Sequence, residues 1–239
     1  MDNPIPCAPA LTASAAVAAT VAAGARTVLV AGASGLVGRE ILNALLTDSS
    51  VSAVHCVGRR AAGTTDPRVI SHIVDFALLP TLPAVDEVYI ALGTTIAVAG
   101  SQQAFRAVDF DAVVAVARAA RAAGAQRLGV VSAMGANPQS SIFYNRVKGE
   151  MEAALATLGY GTLVIARPSV LAGDRGALGQ PVRSGESLAL ALSTVLRPLV
   201  PRNLRAIPAH KVARALIQAV RAAQPGGQVL QSGVMQRTT

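Results

Sequence analysis

Three polar side chains have the residue types and spacing for proton chemistry: Ser132, Tyr144 and Lys148. Tyr144 and Lys148 are four residues apart, so on a helix they share one face. A free tyrosine, with a pKa of about 10, is a poor acid or base at neutral pH, and a nearby ammonium favours its phenolate. We expect Tyr144 to protonate a substrate oxygen, Lys148 to assist it, and Ser132 to donate a hydrogen bond to that oxygen. Lys148 could also hold the ribose of a bound cofactor.

A glycine-rich turn lies upstream of Ser132, Tyr144 and Lys148. Gly32, Gly35 and Gly38 form a G-x-x-G-x-x-G string between an apolar run at 27–31 and a helical pattern. Small residues let the backbone approach a pyrophosphate, and a helix start offers free N–H groups and the positive end of its dipole. Glycines can serve only a tight turn, but the strand–turn–helix order favours a dinucleotide. The predicted contacts are Gly32, Ala33, Ser34, Gly35, Leu36, Val37 and Gly38.

The end of the second apolar run predicts which dinucleotide binds. NAD enzymes usually have an acidic residue there that holds the ribose 2′-hydroxyl. This chain instead has Arg59 and Arg60, whose planar guanidinium groups suit a 2′-phosphate. The alternative is that both arginines are solvated loop residues. The sequence therefore predicts NADPH in preference to NADH.

Strand-like and helical segments alternate as a parallel sheet requires. The predicted strands are nearly continuous apolar runs, as in a sheet covered on both faces, at 27–31, 51–58, 69–76, 87–93, 127–133, 162–168 and 228–231. The predicted helices run from the glycine turn to Leu46, over 101–123 with Gly124 as its cap, from about Ile142, over 187–196 and over 209–223. This order predicts an α/β fold, a Rossmann-type doubly wound parallel sheet with a small C-terminal substrate-binding part.

The length of 239 residues suits a single NAD(P)-binding domain over 26–239. Residues 1–25 read as a flexible Ala-rich extension. The Gly- and Arg-rich start of the segment 172–205 suits a substrate-side loop, with a helix after it. A substrate pocket lined by Leu171, Leu178 and Leu188 is one interpretation.

Charge and composition argue against several classes of function. The net charge is +8, but the arginines are scattered without a run, so we expect no nucleic-acid partner. The absence of a strongly apolar run of about 18 residues predicts no membrane span. Two cysteines and three dispersed histidines predict neither a disulfide framework nor a metal site. The opening with Asp2 and two prolines is unlike a secretory signal, so we expect a cytoplasmic protein.

The sequence resembles the atypical short-chain dehydrogenase/reductases, and within them the Tat-interacting oxidoreductase-like, NAD(P)H-binding (NmrA-like) subfamily. The resemblance spans about 145 residues and rests on the strings GASGLVGR (32–39), VGRR (57–60), VDF (74–76), LGTT (92–95), VDFDAV (108–113), SAMGA (132–136), YNRVKGEMEA (144–153) and RPSVLAGDR (167–175). It implies that Asp75 and Phe76 flank the adenine. It places Leu92, Gly93 and Thr94 under the cofactor, and Pro168, Ser169 and Val170 near the nicotinamide.

One departure from the family pattern concerns the helix after the fourth strand. Active members usually have an asparagine there that organises a proton relay through water, whereas this chain offers Asp109 and Asp111. The departure bears on turnover and not on cofactor binding.

Two main functions follow, with a third behind them. The first is an NADPH-dependent reductase or dehydrogenase acting on a small carbonyl or alcohol. The second is a redox-sensing regulator, in which NADPH binding controls contact with a partner protein. A nucleotide-sugar epimerase-like enzyme is the third. The Ala-rich helices leave homo-oligomerisation open.

Overall fold

A computed structural model of the chain describes residues 25–172 and 202–238. The strands are β1 (Arg26–Ala31), β2 (Val51–Gly58), β3 (Val69–Ile73), β4 (Glu87–Ile90), β5 (Arg127–Val131), β6 (Thr162–Arg167), β7 (Leu171–Ala172), β8 (Ile207–Pro208) and β9 (Gly226–Gln231). Seven of them form one sheet in the order β3-β2-β1-β4-β5-β6-β9, with every neighbouring pair parallel. The strand order reverses between β1 and β4, which opens a crevice at their carboxyl ends. The predicted doubly wound Rossmann-type sheet is confirmed.

Helices cover both faces of this sheet. They are α1 (Leu36–Leu46), α2 (Ile96–Ala99), α3 (Gln102–Arg106), α4 (Val113–Ala122), α5 (Phe143–Ala156), α6 (Ala209–Arg221) and α7 (Ser232–Met235). A 3₁₀ turn spans Arg202–Leu204, and β7 and β8 form a separate parallel pair. Among the residues of 25–172 and 202–238, no helix has both the length and the apolar character needed to cross a membrane.

The core has two layers because successive strand residues point to opposite faces. On β1, Val28 and Val30 face a cluster that includes α1 and α6, while Leu29 and Ala31 face a cluster that includes α4 and α5. All four residues are fully buried. This two-sided burial explains why the strands read as continuous apolar runs.

The long helix predicted over 101–123 is interrupted in the structure. A π-helical turn, Ala107–Ala112, separates α3 from α4. Gly124 follows α4 with a φ of +104°, which suits its predicted role at the helix end. π turns are often found at functional sites, and this one contains Asp109.

Several predicted strands end earlier than the sequence suggested. β3 stops at Ile73, β4 at Ile90 and β5 at Val131, because the residues that follow leave the sheet and form the loops of the crevice. Several of the predictions from the sequence lie outside the described residues. They are the extension 1–25 apart from its last residue, the helix at 187–196, most of the segment 172–205, and Leu178 and Leu188.

Candidate functional site

The glycine turn between β1 and α1 is too crowded for side chains at two positions. Gly32 has a φ of +87°, and a Cβ there would lie 2.8 Å from the carbonyl oxygen of Ala91. A Cβ on Gly38 would lie 2.0 Å from the carbonyl oxygen of Gly32, so α1 packs directly on the turn. Its N-cap is Gly35, with no side-chain cap hydrogen bond. The glycines thus let the turn pack tightly against β4 and α1, and the start of α1, which has no side-chain cap, suits an anionic group bound against the backbone.

A cavity of about 580 Å³, here called the main cavity, opens beside this turn at the carboxyl ends of the strands. Its lining comes from the turn, the ends of β2, β3 and β4, and the π turn: Gly32, Ser34, Gly35, Gly58, Arg59, Arg60, Val74, Asp75, Phe76, Ala77, Ala91, Leu92, Gly93, Ala107, Val108, Asp111 and Ala112. The volume is typical of a cofactor site. Asp111, which sequence reasoning left without a role, belongs to this lining.

Other predicted cofactor residues lie outside that lining. Four belong to the turn and α1 and are buried or half-buried against the core: Ala33, Leu36, Val37 and Gly38. The Thr94 backbone N–H donates to Asp109. Pro168 accepts the backbone N–H of Met134, and Ser169 bonds Arg205 and Ser232, while Val170 is half exposed. Cofactor contacts for these residues stay predictions.

A second, polar cavity of about 540 Å³ adjoins the main one and shares Ser34 and Arg60 with it. Its other lining residues are Arg39, Leu42, Asn43, Ala61, Ala62, Gly63 and Thr64. Arg39 and Arg60 are exposed, and within the described part of the chain neither forms an ion pair. The lining contains two cations and no carboxylate. Sequence reasoning missed Arg39, although it directly follows the last glycine of the turn.

Tyr144 and Lys148 lie one turn apart on α5, as their spacing predicts. The Lys148 side chain is 4% exposed, and its Nζ lies 2.7 Å from Oδ1 of Asp109, a carboxyl that is 1% exposed. The Tyr144 ring is 5.4 Å from the Phe105 ring, centroid to centroid. Over the described residues the Tyr144 hydroxyl has no hydrogen-bond partner, so it is free to bind a substrate oxygen.

Ser132 is turned toward a different partner. It follows β5, is 5% exposed, and its hydroxyl hydrogen-bonds the Glu152 carboxylate on α5. Arg167 Nε donates to the two oxygens of that carboxylate at 3.0 and 3.2 Å, so the Glu152 side chain accepts from both Arg167 and Ser132. Ser132 therefore gives its one hydrogen to Glu152. The structure does not offer that hydrogen to a substrate, and the donor role of Ser132 stays a prediction.

Sequence reasoning missed the pair of Glu152 and Arg167. A signal was available, since Glu152 lies four residues after Lys148 and continues the helix face that starts at Tyr144. Arg167 ends β6, and its pairing with a residue on α5 depends on long-range contacts that spacing does not reveal.

Comparison with known proteins gives relatives that match about two thirds of the chain. No family model matches. Protein FMP52 of the fungus Coccidioides immitis, named as mitochondrial, is 36% identical over 165 residues, or 62% of this chain and 67% of that protein. Protein HTATIP2 of Rattus norvegicus is 36% identical over 171 residues, which cover 69% of each protein.

Solved structures share the architecture at lower identity. The enzyme MoeE5, solved with UDP-glucuronic acid and NAD, superposes with a TM-score of 0.67 at 19% identity, over 87% of this chain and 76% of that one. At this identity the likeness shows the fold alone.

The relatives contradict one prediction from the sequence. Several fungal FMP52 proteins are named mitochondrial, so the expected cytoplasmic location is wrong. The expectation came from a start unlike a secretory signal, and that is the wrong test for import into mitochondria. Mitochondrial transit peptides are amphipathic and rich in Arg and Ser, and they carry no apolar core of the secretory type.

Proposed function

The chain belongs to the atypical short-chain dehydrogenase/reductase family that includes HTATIP2 and FMP52, and from this premise we propose that it is an NADPH-dependent oxidoreductase. Its reaction would be hydride transfer between NADPH and a small carbonyl or alcohol. The observation that carries the proposal is the buried Lys148, one helical turn from Tyr144, whose hydroxyl has no hydrogen-bond partner among residues 25–172 and 202–238.

The residues of the chain divide the work of binding and proton transfer. When bound, NADPH supplies the hydride. The glycine turn and the main cavity would hold its pyrophosphate and adenosine. Lys148 has three N–H donors, of which one faces Asp109; the other two have no partner in the described part of the chain and would bind ribose hydroxyls. Tyr144 gives its hydroxyl proton to the substrate oxygen, with the ammonium nearby to stabilise the phenolate that remains.

The preference for NADPH rests on the polar cavity. Arg39 and Arg60 enter it from α1 and from the loop after β2, together with Ser34, Asn43 and Thr64. Two guanidinium groups and neutral hydrogen-bonding side chains suit a dianionic phosphate, whereas a ribose hydroxyl would call for a carboxylate. Because the polar cavity adjoins the main cavity, we propose that it takes the 2′-phosphate.

The first test is thermal melting with saturating NADPH or NADH, followed by turnover of a carbonyl panel. A ligand at 100 times its Kd adds about 2.7 kcal/mol to stability, so Tm should rise by several degrees with NADPH and less with NADH. Tyr144→Phe should keep this shift and lose turnover by about two orders of magnitude or more. A wild-type Tm that responds to neither cofactor would refute the proposal.

A regulatory function is the second candidate, and two observations favour it. The helix after the fourth strand offers Asp109 and Asp111 in place of the usual asparagine, and the Ser132 hydroxyl is bound to Glu152. On this alternative NADPH binds tightly, no carbonyl substrate oxidises it, and a partner protein binds only one redox state of the cofactor. Oxidation of NADPH by one substrate of the panel, lost in Tyr144→Phe, would decide for the enzyme.

A further inference from the structure

We infer that Asp109 is the positioning residue for Lys148, and that its carboxylate directs the lysine ammonium toward the bound cofactor. The inference rests on the proposed function, because the ligand that Lys148 would hold is NADPH. It assigns a role to one of the two aspartates that the chain offers in the region where the family pattern has asparagine.

The Asp109 carboxylate lies between two hydrogen-bond donors, one for each oxygen. Oδ1 is 2.7 Å from the Lys148 ammonium, and Oδ2 accepts the backbone N–H of Thr94 at 2.8 Å. The donors belong to α5 and to the loop after β4, while Asp109 belongs to the π turn. One side chain thus connects three elements that meet at the crevice.

This arrangement requires a carboxylate. An asparagine has one acceptor oxygen and one donor NH₂ group. In either orientation its NH₂ group would face the Thr94 N–H or the Lys148 ammonium, so one donor would oppose another. Two donors with one oxygen each are satisfied only by an ionised acid. The departure from the asparagine pattern therefore matches the local geometry of this chain.

The backbone around Asp109 supports the same role. Asp109 is 1% exposed, whereas Asp111, two residues later, is exposed in the main cavity. Gly93 leaves room for the pair, since a Cβ there would lie 3.3 Å from Asp109 Oδ1 and 4.0 Å from Lys148 Nζ. Because the pair is buried, loss of either charge would be energetically costly, since the other charge would be left without a partner in a low-dielectric site.

Asp109 consequently acts on the cofactor through Lys148. With one N–H of the ammonium held by Oδ1, the direction of the other two is restricted. Loss of the carboxylate would free the ammonium to rotate and to move toward solvent. We expect weaker NADPH binding, by roughly ten- to a hundredfold, the loss expected for a hydrogen bond to a charged group.

The experiment is a double-mutant cycle on the NADPH Kd, measured well below the Tm of each variant. The variants are Asp109→Asn, Lys148→Met and the double variant. The control is Glu150→Gln, also on α5, which removes a more exposed ion pair between Glu150 and Arg106 of α3. We expect Asp109→Asn and Lys148→Met each to weaken binding, the double variant to match Lys148→Met, and the control to stay within about twofold of wild type.

Each outcome of the cycle supports or overturns the inference about Asp109. If Asp109→Asn lowers Tm but binds NADPH as wild type does, Asp109 is only structural and the inference fails while the proposed function stands. If the two losses multiply in the double variant, Asp109 does not act through Lys148. If Asp109→Asn does not fold, the comparison of Lys148→Met with the double variant remains, and unequal affinities overturn the inference. Wild-type protein that binds neither NADPH nor NADH ends both proposals.

Discussion

The Ser132 hydroxyl donates to the carboxylate of Glu152, which lies two helical turns after Tyr144 on α5. With Arg167 on the same carboxylate, the network joins the end of β5, the middle of α5 and the end of β6. Tyr144, Lys148 and Glu152 share one face of the helix. Tyr144 and Lys148, at one end of that face, lie at the proposed reaction site, while Glu152, at the other end, is bound to residues that follow or end the strands β5 and β6. Ser132 thus helps to hold the helix that carries Tyr144 and Lys148.

The first prediction concerns Ser132→Ala. Its removal leaves Glu152 with Arg167 but without the serine donor, so the free energy of unfolding should fall by about 1–3 kcal/mol. The NADPH Kd should not change. Urea denaturation and a cofactor titration measure the two effects, with the exposed Ser49→Ala as control. Wild-type stability combined with a hundredfold loss of turnover would instead establish Ser132 as the substrate's hydrogen-bond donor.

The sequence predicted the sheet well because its strongest signals are local. β1, the glycine turn and α1 follow one another within about 20 residues, and the apolar run, the three glycines and the helical pattern each point to one structure. The spacing of Tyr144 and Lys148 is equally local, and α5 confirms it. The partners of these side chains could not be predicted in the same way. Asp109 reaches Lys148, and Ser132 reaches Glu152, only after the chain has folded.

The second prediction separates the two cofactors. Arg60→Ala and Arg39→Ala should each weaken NADPH binding by about tenfold or more, because each removes a charge-assisted contact to the 2′-phosphate. NADH affinity should stay unchanged, since it lacks that phosphate. Arg118→Ala, an exposed arginine on α4, is the control for net charge. Equal losses of affinity for NADPH and NADH would show that the polar cavity does not bind the 2′-phosphate.

The third prediction is a pH dependence of stability. His55 Nδ1 lies 2.9 Å from His72 Nε2, a contact that needs one ring to accept a hydrogen. Burial, with a smaller effect of the His72 charge, lowers the pKa of His55 below its usual value of about 6.5. Below that value the unfolded chain binds a proton that the folded state resists. Stability should therefore be complete above pH 6.5 and fall as the pH drops toward the lower pKa of the folded state.

Urea midpoints between pH 7.5 and 5 check the pH dependence. His55→Gln should reduce the fall of the urea midpoint with decreasing pH. The control His210→Gln, at an exposed residue of α6, should leave the dependence of the midpoint on pH unchanged. A wild-type protein whose midpoint does not change over this range would contradict the third prediction.

The fourth prediction separates stability from cofactor binding through Glu87, at the start of β4. Glu87 is fully buried, and its two oxygens each accept from Arg26 Nη1 at 2.7 Å. Arg127 lies 3.2 Å from one oxygen and the Tyr89 hydroxyl donates to the other at 2.9 Å. Burial, reinforced by the Glu87 charge, raises the pKa of Tyr89, so its hydroxyl keeps the proton that it donates. Two guanidinium groups and one hydroxyl thus converge on one buried carboxylate.

Glu87→Gln should lower the free energy of unfolding by about 3–5 kcal/mol, because it removes a fully buried carboxylate that pairs with Arg26 and Arg127 and, among the described residues, leaves Arg26 with only Asp48 as an ion-pair partner. The network lies at the amino ends of the strands, and the crevice lies at their carboxyl ends. The NADPH Kd of the folded variant should therefore equal that of wild type. Glu40→Gln on α1, where Glu40 forms no ion pair within the described residues, is the matched control. A large change in Kd at a temperature where Glu87→Gln is fully folded would mean that the two ends of the sheet are energetically coupled.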